Sequence, residues 1–529
     1  MTERQSAVLW GGVNPILPGF YPDPSVCRVD GEDGTWFYLI NSTFEYLPGL
    51  PIHRSRDLIN WELIGHVLDR PGQIDVSLVG DSGGLFAPTI RHDGNRFLVV
   101  CTVVGGGDHG SGNFVVTATD PAGPWSDPIW WDMAGIDPSI MIDPDGTLWA
   151  HGTRLAPEPE WEQQTEVWVK RLNSQTLKPE GGETIIWSGA LRGAIWSEGP
   201  HLFHHEGYVY LLAAEGGTSF HHAIVVARAE SPLGPFTGNP ANPILTHRHL
   251  GRSAPVSNVG HADLVEAQDG TWWAVCLATR EWDHCDLLGR ETFLVPVSWE
   301  DGWPVFAPGE GHLPLNPGGL TLQQPLSSDA GVSPVQEAKQ NTGLHSDVIA
   351  VRRHPSEFCT LTANSGEFLI QAGEGLKGSL PAFAAKRLAG LTSRVQLRLL
   401  DASAGVRAGL ALRYSATAFV TLTVGGGAVQ IESFNGHAPT KSFRTTLRTP
   451  PATPEFPAGT APGVLSFELH GTSAVAVWEP AGGVPVRSGA VDVSHLCAKH
   501  DGGFVGVTYG AVAAGDEGFA IFSELREEA

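Results

Sequence analysis

The chain has 529 residues, with 33 Lys and Arg against 57 Asp and Glu and a formal net charge of −24. An acidic chain without a run of basic residues is a poor partner for nucleic acid or an anionic membrane surface, and no stretch reaches the roughly 18 apolar residues of a membrane span. Its 65 Gly and 39 Pro, spread without low complexity, suit many short strands joined by tight turns.

Met1–Ser6 has no apolar core of signal-peptide length behind it. The six cysteines (27, 101, 276, 285, 359 and 497) show no CxxC and no framework spacing, so they read as buried, reduced thiols. Both features predict a cytoplasmic protein.

Five related segments then follow. Asp23-Pro24-Ser25-Val26 is followed by Ala87-Pro88-Thr89-Ile90, Asp137-Pro138-Ser139-Ile140, Gly199-Pro200-His201-Leu202 and His261-Ala262-Asp263-Leu264. Each leads to a turn: Asp33-Gly34, Asp93-Gly94, Asp145-Gly146, Glu206-Gly207 and Asp269-Gly270. Each turn opens into an aromatic or aliphatic strand such as Thr35–Leu39 or Tyr208–Leu212. The starts lie 64, 50, 62 and 62 residues apart. A repeat of that length built wholly of strands is a propeller blade of about four strands, so five starts predict five blades. A series of unrelated β-meanders is the bland alternative.

Tryptophan marks where this region stops, since 16 of the 17 lie between Trp10 and Trp303. Residues 1–320 are therefore read as the propeller and the polar, poorly periodic stretch 321–344 as a linker. Beyond it, alternating runs such as Ser393–Leu399 and Phe419–Val424 predict an antiparallel β-sandwich over 345–529, jelly-roll or lectin-like.

In a propeller the innermost strand of every blade lines the axis. The five blade entrances here carry Asp23, Phe86-Ala87, Asp137, Glu198 and His261. Three carboxylates from three blades thus converge on one funnel. Cleavage of a glycosidic bond uses a protonated carboxyl to assist the leaving oxygen and an ionised one on the other side. A third carboxylate near the acid raises its pKa by like-charge repulsion. Taken singly, each Asp-Pro is ordinary turn chemistry; the phased set is what points to catalysis.

The sequence resembles glycoside hydrolase family 43, particularly its two-domain β-xylosidases. The resemblance rests on Asn14–Ser25, Ser42–Gly49, Asp81-Ser82-Gly83-Gly84, Asp137-Pro138-Ser139, Ser197–His201, Ala214–Thr218, Gly260-His261-Ala262 and Leu288–Thr292, all in the expected order. It implies a five-bladed propeller that inverts anomeric configuration, with Asp23 as general base and Glu198 as general acid. Asp137 would orient the acid and raise its pKa. It further implies that Arg290 binds substrate hydroxyls near the Asp137 carboxylate, and that Phe44 walls the pocket. His261 would be the axial histidine, which ligates calcium in some relatives; no cofactor is otherwise implied. Relatives close the pocket with a C-terminal aromatic, for which Phe504 is the candidate, and are often dimers or tetramers.

Two wall positions depart from the family pattern: Phe86 stands where Trp is common, and Ile136 where an aromatic is frequent. The reaction type follows from the catalytic set, whereas the sugar stays open. The reading is an exo-acting β-xylosidase on short xylo-oligosaccharides, with α-L-arabinofuranosidase or dual activity on arabino-oligosaccharides as the alternative. A retaining fructosidase-type propeller expects different motifs around both acids. A non-catalytic sugar-binding propeller would have no need of a proton donor. The paired histidines His204-His205 and His221-His222, with His247 and His249, read as exposed turn residues, leaving His261 alone with the phasing to reach the axis.

Overall fold

Each of the five acidic-Gly turns reverses the chain and pairs the segment before it with the aromatic or aliphatic segment after it. In the first blade Ser25–Gly31 pairs antiparallel with Gly34–Ile40, in register from Ser25 opposite Ile40 to Gly31 opposite Gly34. Gly49–Ser55 and Glu62–Leu68 complete the sheet. The computed structural model describes residues 13–106, 111–190, 193–317, 346–364, 366–447 and 462–528; the linker 321–344 lies outside them.

Blade two holds Thr89–His92, Phe97–Val104, Gly112–Ala118 and Ile129–Trp130, with Gly84–Leu85 added along Phe97–Val104. Blades three, four and five begin with Ile136–Ile142, Glu198–His205 and Val256–Glu266. Their innermost strands touch in cyclic order, and the strand of blade five returns to that of blade one. The ring is therefore a five-bladed β-propeller. Its ends are joined by the segment from Asn14 onward. The Asn14 amide donates to Leu294 O and Pro314 O at 2.8 Å, and Leu17 bridges Thr292 in blade five.

The axis is closed by a polar pin that touches all five blades. Arg91 of blade two donates to both carboxylate oxygens of Asp263 in blade five, at 2.8 and 3.1 Å. Ser25 of blade one donates to Asp263 at 2.7 Å. His201 of blade four lies 3.2 Å from Arg91 Nη2 and 3.1 Å from Ser139 Oγ of blade three. Burial pushes the His201 imidazole down to about 3, so it is neutral and accepts from Arg91.

The C-terminal part forms an eight-stranded and a seven-stranded antiparallel sheet around a shared apolar core that includes Val395, Leu397, Leu399, Leu410 and Leu465. Both alternating runs read from the sequence are strands, Thr392–Ala402 and Ala418–Gly425. The eight-stranded sheet does not stop at its own domain: Tyr46–Leu47 of the propeller pairs with Ile349–Val351 as its edge. Beside that seam Arg413, fully buried, donates to Asp81 at 2.9 Å and lies 3.8 Å from Glu45. Arg352 reaches the same Asp81 oxygen at 2.5 Å. Among the described residues the α-helix is limited to the single turn Ala498–Asp501.

Removing one partner of a buried ion pair strands the other charge, at a cost of about 3–5 kcal/mol. Arg91→Met should therefore lower unfolding stability by that order in urea denaturation followed by tryptophan fluorescence. Adding Asp263→Asn, which removes the charge but keeps an acceptor for Ser25, should recover more than half of the loss.

Candidate active site

The inner strands of the blades present their entrance residues through an unusual backbone turn. Asp23, Asp137, Gly199 and His261 occupy the same position in four blades and have φ of 52°, 51°, 57° and 46°. Asp and His tolerate the left-handed region better than most side chains, and Gly tolerates it freely. The strand registers slip at this point in blades three, four and five. In blade three the result is that two consecutive residues, Ile136 and Asp137, face the same cavity rather than opposite sides of the sheet. Asp23, Asp137 and His261 come from the left-handed position, and Ile136 and Glu198 from the residue before it; in blade two Phe86 and Ala87 line the cavity without a left-handed residue. In blade four a β-carbon on Gly199 would sit 2.8 Å from the His261 ring. Glycine is required there, and the carboxylate is supplied one residue earlier.

These side chains line a cavity of about 360 Å³ together with Phe44, Ala87, Trp196, Gly217, Thr218, His222, Arg290 and Phe504. Every site residue read from the sequence is in it. Asp23 accepts from Ser42 Oγ at 2.5 Å and pairs with Arg290 Nη1 at 2.9 Å, while His261 Nδ1 is 4.0 Å away. Burial would raise the Asp23 pKa, but the charges of Arg290 and His261 and the Ser42 hydrogen bond outweigh it. The net effect holds the carboxyl below its ordinary range. Asp137 accepts from the Gly199 amide at 2.9 Å, so it grips the backbone next to Glu198. Burial, with the Asp23 charge adding to it, pushes Asp137 up to about 6 against the opposing charge of His261. Glu198 is raised well above a normal glutamate, first by enclosure in the pocket and then by the Asp137 and Asp23 charges. The cavity thus favours the ionised form of Asp23 and the protonated form of Glu198. The two stand two blade steps apart, the largest separation a five-bladed ring allows.

Arg290 stands near enough to Asp137 to act on its charge, as the resemblance implies, but its ion pair is with Asp23, and it also donates to Thr218 Oγ1 at 3.0 Å and Phe504 O at 3.3 Å. The wall is an aromatic cluster drawn from both domains. Phe44 stacks on Phe504 with ring centroids 5.7 Å apart, and Phe86 meets both edge-on at 5.2 and 5.9 Å. The Phe504 amide donates to Ser82 Oγ at 2.9 Å. Close backbone approach fixes this junction: a β-carbon on Gly506 would lie 2.4 Å from Leu288 O, and Val507 N donates to Leu287 O at 2.8 Å.

Sequence reading missed Trp196, Thr218 and His222 as pocket residues. The exposed-turn assignment is corrected for His222, which is buried and donates from Nδ1 to Asn258 O at 2.9 Å, and for His247, buried between Val256 O and Leu313 N. Blade phasing cannot find His222, because it stands at the start of a third strand. As a calcium site, His261 lacks company. Calcium takes six to eight oxygens, yet Asp263 on the same strand is committed to Arg91 and Ser25, and Asp23 to Arg290 and Ser42. Among the described residues no three Asp, Glu, His or Cys ligand atoms gather around it.

A family model described as "Glycosyl hydrolases family 43" matches residues 13–304. A xylosidase/arabinosidase of Butyrivibrio fibrisolvens is 46% identical over 358 residues, 67% of either chain. A non-reducing end alpha-L-arabinofuranosidase of Bacteroides ovatus is 34% identical over 527 residues, covering 95% of this chain and 91% of that one. The crystal structure of a xylan beta-1,4-xylosidase from Bacillus halodurans matches with a TM-score of 0.83 at 28% identity, over 98% of this chain and 99% of that one.

Proposed function

The chain belongs to glycosyl hydrolases family 43, and from that premise we propose that it releases single terminal pentoses from short xylo-oligosaccharides, as an inverting exo-acting β-xylosidase. The observation that carries this reading is that Asp23, paired with Arg290 and Ser42, faces Glu198, enclosed beside Asp137, in one cavity lined by Phe504, so that their pKa values are driven in opposite directions. Asp23 takes a proton from the attacking water, Glu198 gives one to the leaving glycosidic oxygen, and Asp137 keeps that proton on Glu198 through neutral pH. Arg290, fixed between Asp23 and Thr218, stands where it can also bind a sugar hydroxyl. A pocket walled by aromatic rings from both domains accepts a chain end more readily than a chain middle.

α-L-Arabinofuranoside hydrolysis is the second reading. It is favoured by the arabinofuranosidase relative that spans nearly the whole chain, and by aliphatic Ile136 in the wall beside Asp137.

The deciding test compares release of 4-nitrophenol from the β-D-xylopyranoside and the α-L-arabinofuranoside. Xyloside turnover is expected to dominate, with the sugar released as the α-anomer in early NMR spectra. Dominant arabinoside turnover reverses the two readings, and an inert enzyme on both defeats them.

Glu198→Gln should lower kcat on xylobiose by about 10²–10⁴-fold. The loss should be much smaller on nitrophenyl xyloside, whose leaving group needs little protonation. The pH profile gives an independent check. Activity is lost at high pH as Glu198 ionises, and the Asp137 charge delays that step. Asp137→Asn, which keeps an acceptor for the Gly199 amide, should therefore move the alkaline limb of kcat/KM to lower pH by about one unit. Phe504→Ala should raise KM for xylobiose by about tenfold, the equivalent of one aromatic contact, with a smaller effect on kcat.

A further inference from the structure

Four of the six cysteines are dispersed, but Cys285 and Cys497 meet across the junction between propeller and sandwich. Cys285 closes a tight turn in which it and Trp282 exchange backbone hydrogen bonds of 2.9 Å. Cys497 opens the helical turn Ala498–Asp501, and its carbonyl accepts from His500 N and Asp501 N at 3.1 and 3.0 Å. Both thiols are buried, are in hydrogen-bonding contact with each other, and point at the same Ser494 carbonyl over 3.6 and 3.2 Å. The ligand atoms of Cys285, Cys497 and the exposed His500 lie within 4.8 Å of one another. A fourth group faces them. Asp286 is 6% exposed, its carboxylate is within hydrogen-bonding reach of the Cys497 thiol, and its Oδ1 has no partner in the protein.

We propose that Cys285, Cys497, His500 and Asp286 form a site for a soft divalent cation, zinc foremost, which clips the sandwich onto the propeller beside the pocket. Two thiolates, an imidazole and a carboxylate are a ligand set that zinc takes tetrahedrally. With bonds of about 2.0–2.3 Å, tetrahedral ligand atoms stand about 3.3–3.8 Å apart, so Cys285, Cys497 and His500, now within 4.8 Å of one another, must contract by up to about 1.0–1.5 Å, and the Asp286 carboxylate, outside that trio, must move in further. His500 supplies that movement, being the exposed member at the end of a single turn. Binding expels the two thiol protons. A Cys285–Cys497 disulfide would use the same sulfurs but leave His500 and the unpartnered Asp286 oxygen without a role. The clip would brace two elements at once. His500 precedes Phe504 on one short segment, and Cys285 precedes Arg290 on another, so both domains' contributions to the pocket are tied to it.

The test is metal binding by the full chain, stripped with a chelator, kept under a reductant that does not bind metal, and titrated with zinc in competition with a chromophoric chelator. Cobalt serves as a spectroscopic probe. One zinc per chain, the intense visible absorption of a tetrahedral cobalt thiolate site, and a higher unfolding midpoint with zinc are expected. Cys497→Ser should abolish these signals, and His500→Ala should weaken zinc binding by about tenfold or more. His500 is exposed, so that variant tests the site without endangering the fold. Three results overturn the assignment: no stoichiometric uptake by the wild type, uptake that survives Cys285→Ser with Cys497→Ser, or loss of both thiols to a disulfide in the metal-free protein. None of these readouts uses turnover, so they stand apart from the glycosidase reading.

Discussion

The active site depends on the pairing of Arg91 with Asp263. Each blade is made of consecutive strands, so between neighbours the ring is held by side-chain packing, by local bridges such as Phe44–Leu85, by the Asn14–Leu17 segment and by this pin. Asp263 binds Arg91, Ser25 and the Val26 amide, and Arg91 passes the connection on to His201 and thence to Ser139. Ser25, Ser139, His201 and Asp263 each stand two residues after a left-handed entrance position. Fixing them around one guanidinium fixes the direction in which Asp23, Asp137 and His261 leave their strands. The backbone at those positions is strained for a residue bearing a β-carbon, at a cost of order 1–3 kcal/mol each. That strain persists only if the strand beyond is tightly held, and the axial pin holds it.

One small pocket drives two carboxyls toward opposite protonation states because its one guanidinium is placed off-centre. Arg290 touches Asp23 and not Asp137 or Glu198. Burial raises all three acids, and the guanidinium reverses that effect where it makes contact. Had Arg290 paired with Asp137, the charge that keeps Glu198 protonated would be neutralised, and Asp23 would lose the partner that makes it a carboxylate. The position of Arg290 is itself set by both domains, through Thr218 on one side and the Phe504 carbonyl on the other.

The blades were legible in the sequence because each is announced by local chemistry: an Asp-Pro or its equivalent, an acidic-Gly turn, then an aromatic strand. Asp23, Asp137 and His261 were legible because they recur in phase. Glu198 falls one residue out of phase, since His261 leaves room only for glycine at position 199, and it was placed through its motif with Trp196 and Pro200. The axial pin was not legible. Arg91 and His201 occur once each and do not repeat around the ring. His222 and the Cys285–Cys497 meeting were hidden for a similar reason, since each depends on which segments the closed ring and docked sandwich bring together.

Docking of the sandwich matters to the chemistry through water. The seam buries Glu45, Arg352 and Arg413 against a half-buried Asp81, and burial pushes Glu45 up to about 7 despite Arg413. Charges this deep are costly unless each keeps its partners, so the seam tolerates one orientation and penalises slippage. That orientation lays Phe504 against Phe44 and Phe86. Without it, the mouth of the propeller would open to solvent on the side of Arg290, and the enclosure that raises Glu198 would weaken. An apolar lid from a second domain therefore does two things with one contact. It restricts entry to a terminal sugar, and it keeps the acid dry enough to hold its proton. Specificity for chain ends and the working state of the proton donor rise and fall together in this architecture.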